Sequence, residues 1–315
     1  MFDSDLMVNV VPVQSFSDET LAKEWIKNKR EPFILKNFDY GPCLQKWNAE
    51  YMMEKVNNKT VKIHVSSKSE MDFINKNFLY RTLPFKELIK RASQNKQTDF
   101  FIDENEKYYL RSLGADDRKD VADIQKDYPE LSNEIRYPPL FELENFFSSV
   151  FRISSAGLRL WTHYDIMDNI LIQINGKKRV VLFPPSDVDN LYMKGDKSQV
   201  LEIDNPDLSK YPLFAHAKKY ECILEAGDVI FIPSLWLHNV ISVSFSIGVN
   251  VFWKHLDDEF YEKKDVYGNK DLVAAQKAFL FADKAINELN RLPLHYKEFY
   301  IKRVIQKFQK NLDDE

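Results

Sequence analysis

A mainly β fold with accompanying α is written into this chain of 315 residues: a sandwich or barrel of short strands in the middle, mixed elements before it, a helical hairpin after it. Short β-prone runs separated by turn signals fill Phe146 to Trp253. On either side the pattern changes, to interleaved helix and strand before residue 146 and to helical periodicity beyond Trp253. Three regions follow: 1–145, α/β elements packing on the barrel; 146–254, the core; 255–315, a helical region expected to dimerise.

The elements can be taken in order. Val8 to Val13 reads as a strand, Ser17 as an N-cap opening a helix over Leu21 to Lys29, and Pro32 to Leu35 as a second strand. After the Gly41-Pro42 turn, Leu44 to Val56 has helical spacing, and Val61 to Val65 alternates like a strand. His64 lies within that strand without a ligand-spaced neighbour, so a structural role is expected for it. Phe78 to Pro84 leads into a helix over Phe85 to Gln94, and Phe100 to Asp103 with Lys107 to Arg111 reads as a hairpin with a tyrosine turned toward a pocket. The polar stretch from Gly114 to Pro139 is expected to be loop with a short helix near Lys119 to Lys126.

Eight strands are expected in the core: Phe151 to Ser154, Leu158 to Trp161, Asn169 to Ile174, Arg179 to Phe183, Tyr220 to Leu224, Val229 to Ile232, Asn239 to Ser242 and Ile247 to Trp253. Asn175-Gly176 signals a two-residue hairpin turn. That register pairs Gln173 with Lys178 and Asn169 with Leu182, which turns Asn169 and Lys178 to one face. Beyond the core, helices are predicted over Asp271 to Leu289 and Leu294 to Gln309, the second carrying Tyr296, Phe299, Tyr300, Val304 and Phe308 along one side.

Composition limits the function classes. At 44% hydrophobic and 14% aromatic residues the chain is globular, and no run approaches the roughly 18 apolar residues of a membrane span. The acidic start Met1 to Asp5 lacks the layout of a secretory signal, and Cys43 and Cys222, far apart in apolar surroundings, suit reduced thiols. A cytoplasmic or nuclear protein is therefore expected. The net charge of −4 excludes a generally basic nucleic-acid binder, yet from Lys277 to Lys310 eight basic residues face three acids.

The chemistry concentrates in Leu160-Trp161-Thr162-His163-Tyr164-Asp165. Side chains two apart on a strand share a face, so His163 and Asp165 can offer a nitrogen and an oxygen to one point. His238, beyond Gly227-Asp228 and Pro233, follows an apolar strand and a turn and supplies a second imidazole. Two imidazoles and one carboxylate make the facial triad of non-haem Fe(II), with three positions left for a chelating co-substrate and dioxygen. If the chelate is 2-oxoglutarate, its far carboxylate needs a cation. Lys178 on an otherwise apolar strand is the candidate, because an ammonium is costly to bury unpaired.

With His163-x-Asp165, Asn169, Gly176-x-Lys178-Arg179 and Gly227-Asp228 through Pro233-x-x-Trp236-x-His238, the core resembles the Jumonji-C family of Fe(II)- and 2-oxoglutarate-dependent oxygenases. The resemblance implies a double-stranded β-helix, cupin-like, with iron on His163, Asp165 and His238 and 2-oxoglutarate on Tyr109, Asn169 and Lys178. Relatives often carry Thr three residues before the first histidine. This chain has Leu160 there, and Tyr109 is expected to supply the missing hydrogen bond. Stretches outside the barrel, among them Lys107 to Gly114, Arg118 to Ile124 and Val249 to His255, extend the resemblance to members that hydroxylate the side chain of 7-(3-amino-3-carboxypropyl)wyosine next to the anticodon of tRNA(Phe). Those members also imply a homodimer through the C-terminal helices. Arg152, Arg159 and the basic helices are the candidates for tRNA phosphates. A protein hydroxylase or histone demethylase, and an inactive Jumonji-C-like binding module, are the competing readings.

Overall fold

The computed structural model describes residues 11–56 and 59–313, so the acidic start and the first part of the predicted strand, 8–10, lie outside the described residues. The chain divides into two compact units, Met1–His255 with Val266–Asn269, and Leu256–Asp265 with Lys270–Glu315. In the first unit the opening strands β1 (Val11–Pro12), β2 (Gln14–Phe16) and β3 (Phe33–Leu35) bracket helix α1 (Glu19–Asn28). Asp18 rather than Ser17 caps this helix: its carboxylate accepts from the amides of Thr20 at 2.7 Å and Leu21 at 3.3 Å. A carboxylate there also answers the positive end of the helix dipole.

The predicted helix Leu44 to Val56 is two, α2 (Cys43–Lys46) and α3 (Ala49–Lys55), because Asn48 leaves the helical region and caps the second by accepting from Tyr51 N. Strands β4 (Thr60–Ser66), β5 (Leu79–Pro84) and β6 (Lys107–Arg111) surround α4 (Phe85–Ala92). The predicted arm Phe100 to Asp103 is not a strand. The buried Glu106 carboxylate accepts from the amides of Phe101 and Ile102, which removes them from any ladder. Helix α5 (Ile124–Asp127) occupies only the end of the predicted segment, since Asp123 caps it there.

The core strands are β7 (Phe146–Ser154), β8 (Asp168–Asn175), β9 (Lys178–Phe183), a short ribbon of β10 (Met193–Lys194) with β11 (Lys197–Ser198), then β12 (Tyr220–Leu224), β13 (Val229–Ile232), β14 (Leu237–Ser242) and β15 (Ser246–Trp253). Among the described residues they build two facing sheets, ordered β2-β3-β13-β8-β15-β7-β6-β4-β5 and β1-β12-β9-β14. The predicted strand Leu158 to Trp161 pairs with β14 through isolated bridges, Leu160 N donating to Val240 O and Ser242 N to Leu158 O. Core segments alternate between the sheets except at β9 and β12, which are neighbours in the small one, and the result is the double-stranded β-helix of a cupin-like domain.

The hairpin expected at Asn175-Gly176 does not form. β8 is hydrogen-bonded on one edge to β13 and on the other to β15, so it has no free edge for β9, which lies between β12 and β14 in the opposite sheet. Asn175-Gly176-Lys177 is instead a corner from one sheet to the other. Gly176 has φ +79°, and a Cβ there would stand 2.0 Å from the carbonyl oxygen of Phe245.

Packing follows strand alternation. Ile170, Ile172, Val249 and Val251 face outward from the large sheet under α3 and α4, whereas Leu171, Val180, Leu182, Ile230 and Val240 face into the barrel. Val181, Phe183 and Leu237 on the far side of the small sheet are covered by residues of the 184–219 segment, such as Leu191 and Phe214. In the second unit, α6 (Val273–Leu289) and α7 (Leu294–Asp313) carry exposed large apolar side chains, including Phe281 and Phe308, each 64% accessible.

Candidate metal centre

His163 and His238 meet because their backbones are antiparallel partners. His163 N donates to His238 O at 3.2 Å and His238 N to His163 O at 2.8 Å, which puts both side chains on the inward face. The imidazole centroids are 4.4 Å apart. Each ring is fixed by the carbonyl two residues earlier: Nδ1–H of His163 donates to Trp161 O and that of His238 to Trp236 O, both at 3.0 Å. A carbonyl can only accept, so Nδ1 carries the proton and Nε2 presents its lone pair. Asp165 completes the group, one oxygen 3.5 Å from His238 Nε2. One ligand atom from each residue lies within 4.8 Å of the others, a grouping that could close on a single metal ion.

Charge in this pocket is governed by burial. His163 is held well below the ordinary imidazole range, first by desolvation and then by His238. Asp165 is pushed up by burial, with His238, Arg152 and Arg111 opposing. A divalent cation would reverse the sense of the carboxylate shift.

Two spaces open from the cluster and share Arg152, Trp161, His163 and Asp165. The inner is a recess of about 30 Å³ lined also by Tyr109 and Lys178, and the outer is a cavity of about 320 Å³. Lys178 is 3% accessible and donates to Gln173 Oε1 at 3.1 Å. Gln173 is held for this by its own Nε2, which donates to Asn175 O and Ser246 Oγ. Burial, then Arg152, pulls the Lys178 ammonium down to about 7. Gly248 makes room for it, since a Cβ there would lie 3.3 Å from Nζ.

Asn169 does not line either space. It stands one step behind, donating to Asp165 Oδ2 at 3.2 Å. Behind it runs a directed chain: Arg152 Nε donates to Asn250 Oδ1 at 2.5 Å, and Asn250 Nδ2 to Asn169 Oδ1 at 3.0 Å. Arg152 also donates to the Tyr109 hydroxyl. Sequence reasoning missed Asn250, although an amide in the apolar run Ile247 to Trp253 was a usable signal. It also put Arg152 on the wrong surface, since its guanidinium lies inside the barrel. Arg159 pairs with Glu70, Glu202 and Asp204, which answers its charge within the chain. His64 stays outside the ligand cluster, its ring packed among Phe73, Phe78, Tyr80 and Tyr109, and burial pulls it down to about 4.

A cupin-like domain model matches residues 19–259. The tRNA wybutosine-synthesizing protein 5 of Homo sapiens is 58% identical over 281 residues, 89% of this chain and 89% of the human protein. Those of Gallus gallus and Mus musculus are 56% and 55% identical, covering 89% and 91% of this chain and 88% and 91% of their own. The chain belongs to the tRNA wybutosine-synthesizing protein 5 family. For a member of this family, the described helices include none long and apolar enough to cross a membrane, and Cys43 and Cys222 are free thiols.

Proposed function

We propose that this chain is an Fe(II)- and 2-oxoglutarate-dependent dioxygenase that hydroxylates the side chain of 7-(3-amino-3-carboxypropyl)wyosine in tRNA(Phe), in the cytoplasm or nucleus. The observation that carries the reading is the cluster of His163, Asp165 and His238 beside a buried Lys178 that forms no ion pair among the described residues, in a relative of proteins named for wybutosine synthesis. Iron bound there with 2-oxoglutarate and dioxygen supplies the oxidising chemistry: one oxygen atom enters the substrate C–H bond, the other the succinate, and carbon dioxide leaves.

The residues have separable tasks. Neutral Nε2 atoms of His163 and His238 and the Asp165 carboxylate hold the metal, and Asn169 steadies that carboxylate by donating to the Oδ2 that also faces His238. Lys178 takes the distal carboxylate of 2-oxoglutarate. The recess as it stands has room for little more than a water, so a five-carbon dianion displaces Arg152 from the Tyr109 hydroxyl and gains both as donors. In this reading α6 and α7 pair two copies and join their basic faces against tRNA phosphates.

The test is to incubate Fe(II)-loaded protein and 2-oxoglutarate with unhydroxylated tRNA(Phe) and, separately, with histone peptides, and to weigh the products. A mass gain of one oxygen atom on the tRNA base is expected. Oxidation or demethylation of the peptides alone would transfer the assignment to a protein substrate. No turnover of either, with intact metal binding, would leave a binding module.

A further inference from the structure

The outer cavity holds a cation, Arg111, that forms no ion pair with a carboxylate among the described residues. Arg111 lies two residues beyond Tyr109 on the inward face of β6 and lines this cavity with Phe73, Trp161 and Phe252. Its guanidinium stands over the Tyr267 ring at 5.3 Å and donates to Tyr267 O at 3.1 Å. Among the described residues it makes no ion pair with a carboxylate, unlike Lys62 and Lys197, which meet Asp117 and Asp196. Burial, then Arg152, pulls Arg111 down to about 10, with Tyr109 and Asp165 opposing. A buried donor has no acceptor among the described residues: the indole Nε1 of Trp161, a residue that also lines this cavity. A guanidinium without a countercharge and a buried indole N–H without an acceptor each cost free energy, and an oxyanion in this cavity would give Arg111 the countercharge it lacks.

We infer that Arg111, assisted by the Trp161 indole, is the specificity-determining anchor for a carboxylate borne by the substrate base. The inference rests on the function proposed above and adds the residue that reads the amino-acid side chain. A phosphate has the same chemistry but the wrong reach. Arg111 is close enough to Asp165 and Arg152 to feel their charges, whereas a backbone phosphate is held off from the base by the ribose. A carboxylate on the base's own substituent can sit at Arg111 and leave the neighbouring carbon facing His163 and Asp165. Arg111 then acts as a positioning residue that fixes which C–H bond is presented, and it stays clear of the inner recess.

The experiment measures equilibrium binding of two tRNA(Phe) species to full-length protein: one with the free side-chain carboxylate, one with its methyl ester. Wild type is expected to prefer the acid by about 10- to 100-fold, the range of a charge-assisted hydrogen bond to a buried partner. Arg111→Gln is expected to lose that preference while binding the ester within about twofold of wild type, which also shows that the variant is folded. Arg111→Lys is expected to recover part of it. Equal binding of acid and ester by wild type overturns the inference, because no variant enters that comparison. A loss in Arg111→Gln that is equal for acid and ester also overturns it, pointing to a phosphate contact or a structural role. If wild type selects the acid and adds no oxygen with Fe(II) and 2-oxoglutarate present, the anchor stands and the proposed reaction fails.

Discussion

Lys178 brings an ammonium into a barrel that offers it an amide oxygen and a neighbouring cation, which is a poor exchange for water. Because its folded pKa, about 7, lies below the ordinary lysine value of 10.5, the unfolded chain binds the extra proton between those values. Stability therefore rises with pH across that window, and the cost of the buried charge is borne in full below about pH 7. Lys178→Met removes the cost and the dependence together, so denaturation midpoints of the metal-free variant should vary less with pH across that window than those of wild type. The same variant should need 10- to 100-fold more 2-oxoglutarate, roughly 1.5 to 3 kcal/mol for a lost charge-assisted hydrogen bond. An unchanged apparent affinity in a decarboxylation assay would remove Lys178 from the co-substrate site. At the metal, Asp165→Ala should abolish 2-oxoglutarate decarboxylation and weaken Fe(II) binding. Wild-type turnover in that variant would mean that the ligand set is wrong.

Individual strands were largely legible because apolar alternation and turn residues are local signals: Tyr220–Leu224 and Val229–Ile232 are found where they were expected. Which strand pairs with which was not. Asn175-Gly176 permits a tight reversal, but the choice between a hairpin and a corner depends on β13 and β15, which take both edges of β8. The site divides in the same way. His163 and Asp165 share a face by spacing alone, whereas the links from Arg152 to Asn250 and from Asn250 to Asn169 arise from pairing across the sheet. The corner makes its own prediction. Gly176→Ala places a methyl group against the Phe245 carbonyl in a left-handed conformation, which should cost on the order of 2 to 4 kcal/mol. The check is a chemical denaturation curve, and a midpoint equal to wild type would show that the corner relaxes.

At the scale of the molecule, the unanswered surface is the C-terminal hairpin, with Phe279, Phe299 and Phe308 each more than half exposed beside exposed Lys302, Arg303 and Lys307. Exposed apolar area of this kind marks an interaction surface. Deletion from Asp271 onward should give a monomer by light scattering and weaker tRNA binding with a shallower salt dependence. A truncated protein that stays dimeric, or keeps the full salt slope, would reduce the hairpin to a structural appendage.

The sheet order also bears on how the protein is made. β3 waits for β13, and β7 for β15, so the large sheet closes only when residues near 250 are available. Such distant pairings fold slowly. On the ribosome, a nascent chain that has passed Asp165 but not reached His238 carries two ligands with no partner strand to align them. If the proposed function holds, metal capture would therefore be a late event of biosynthesis, and a chain interrupted there would expose apolar strand edges to other nascent chains and to chaperones.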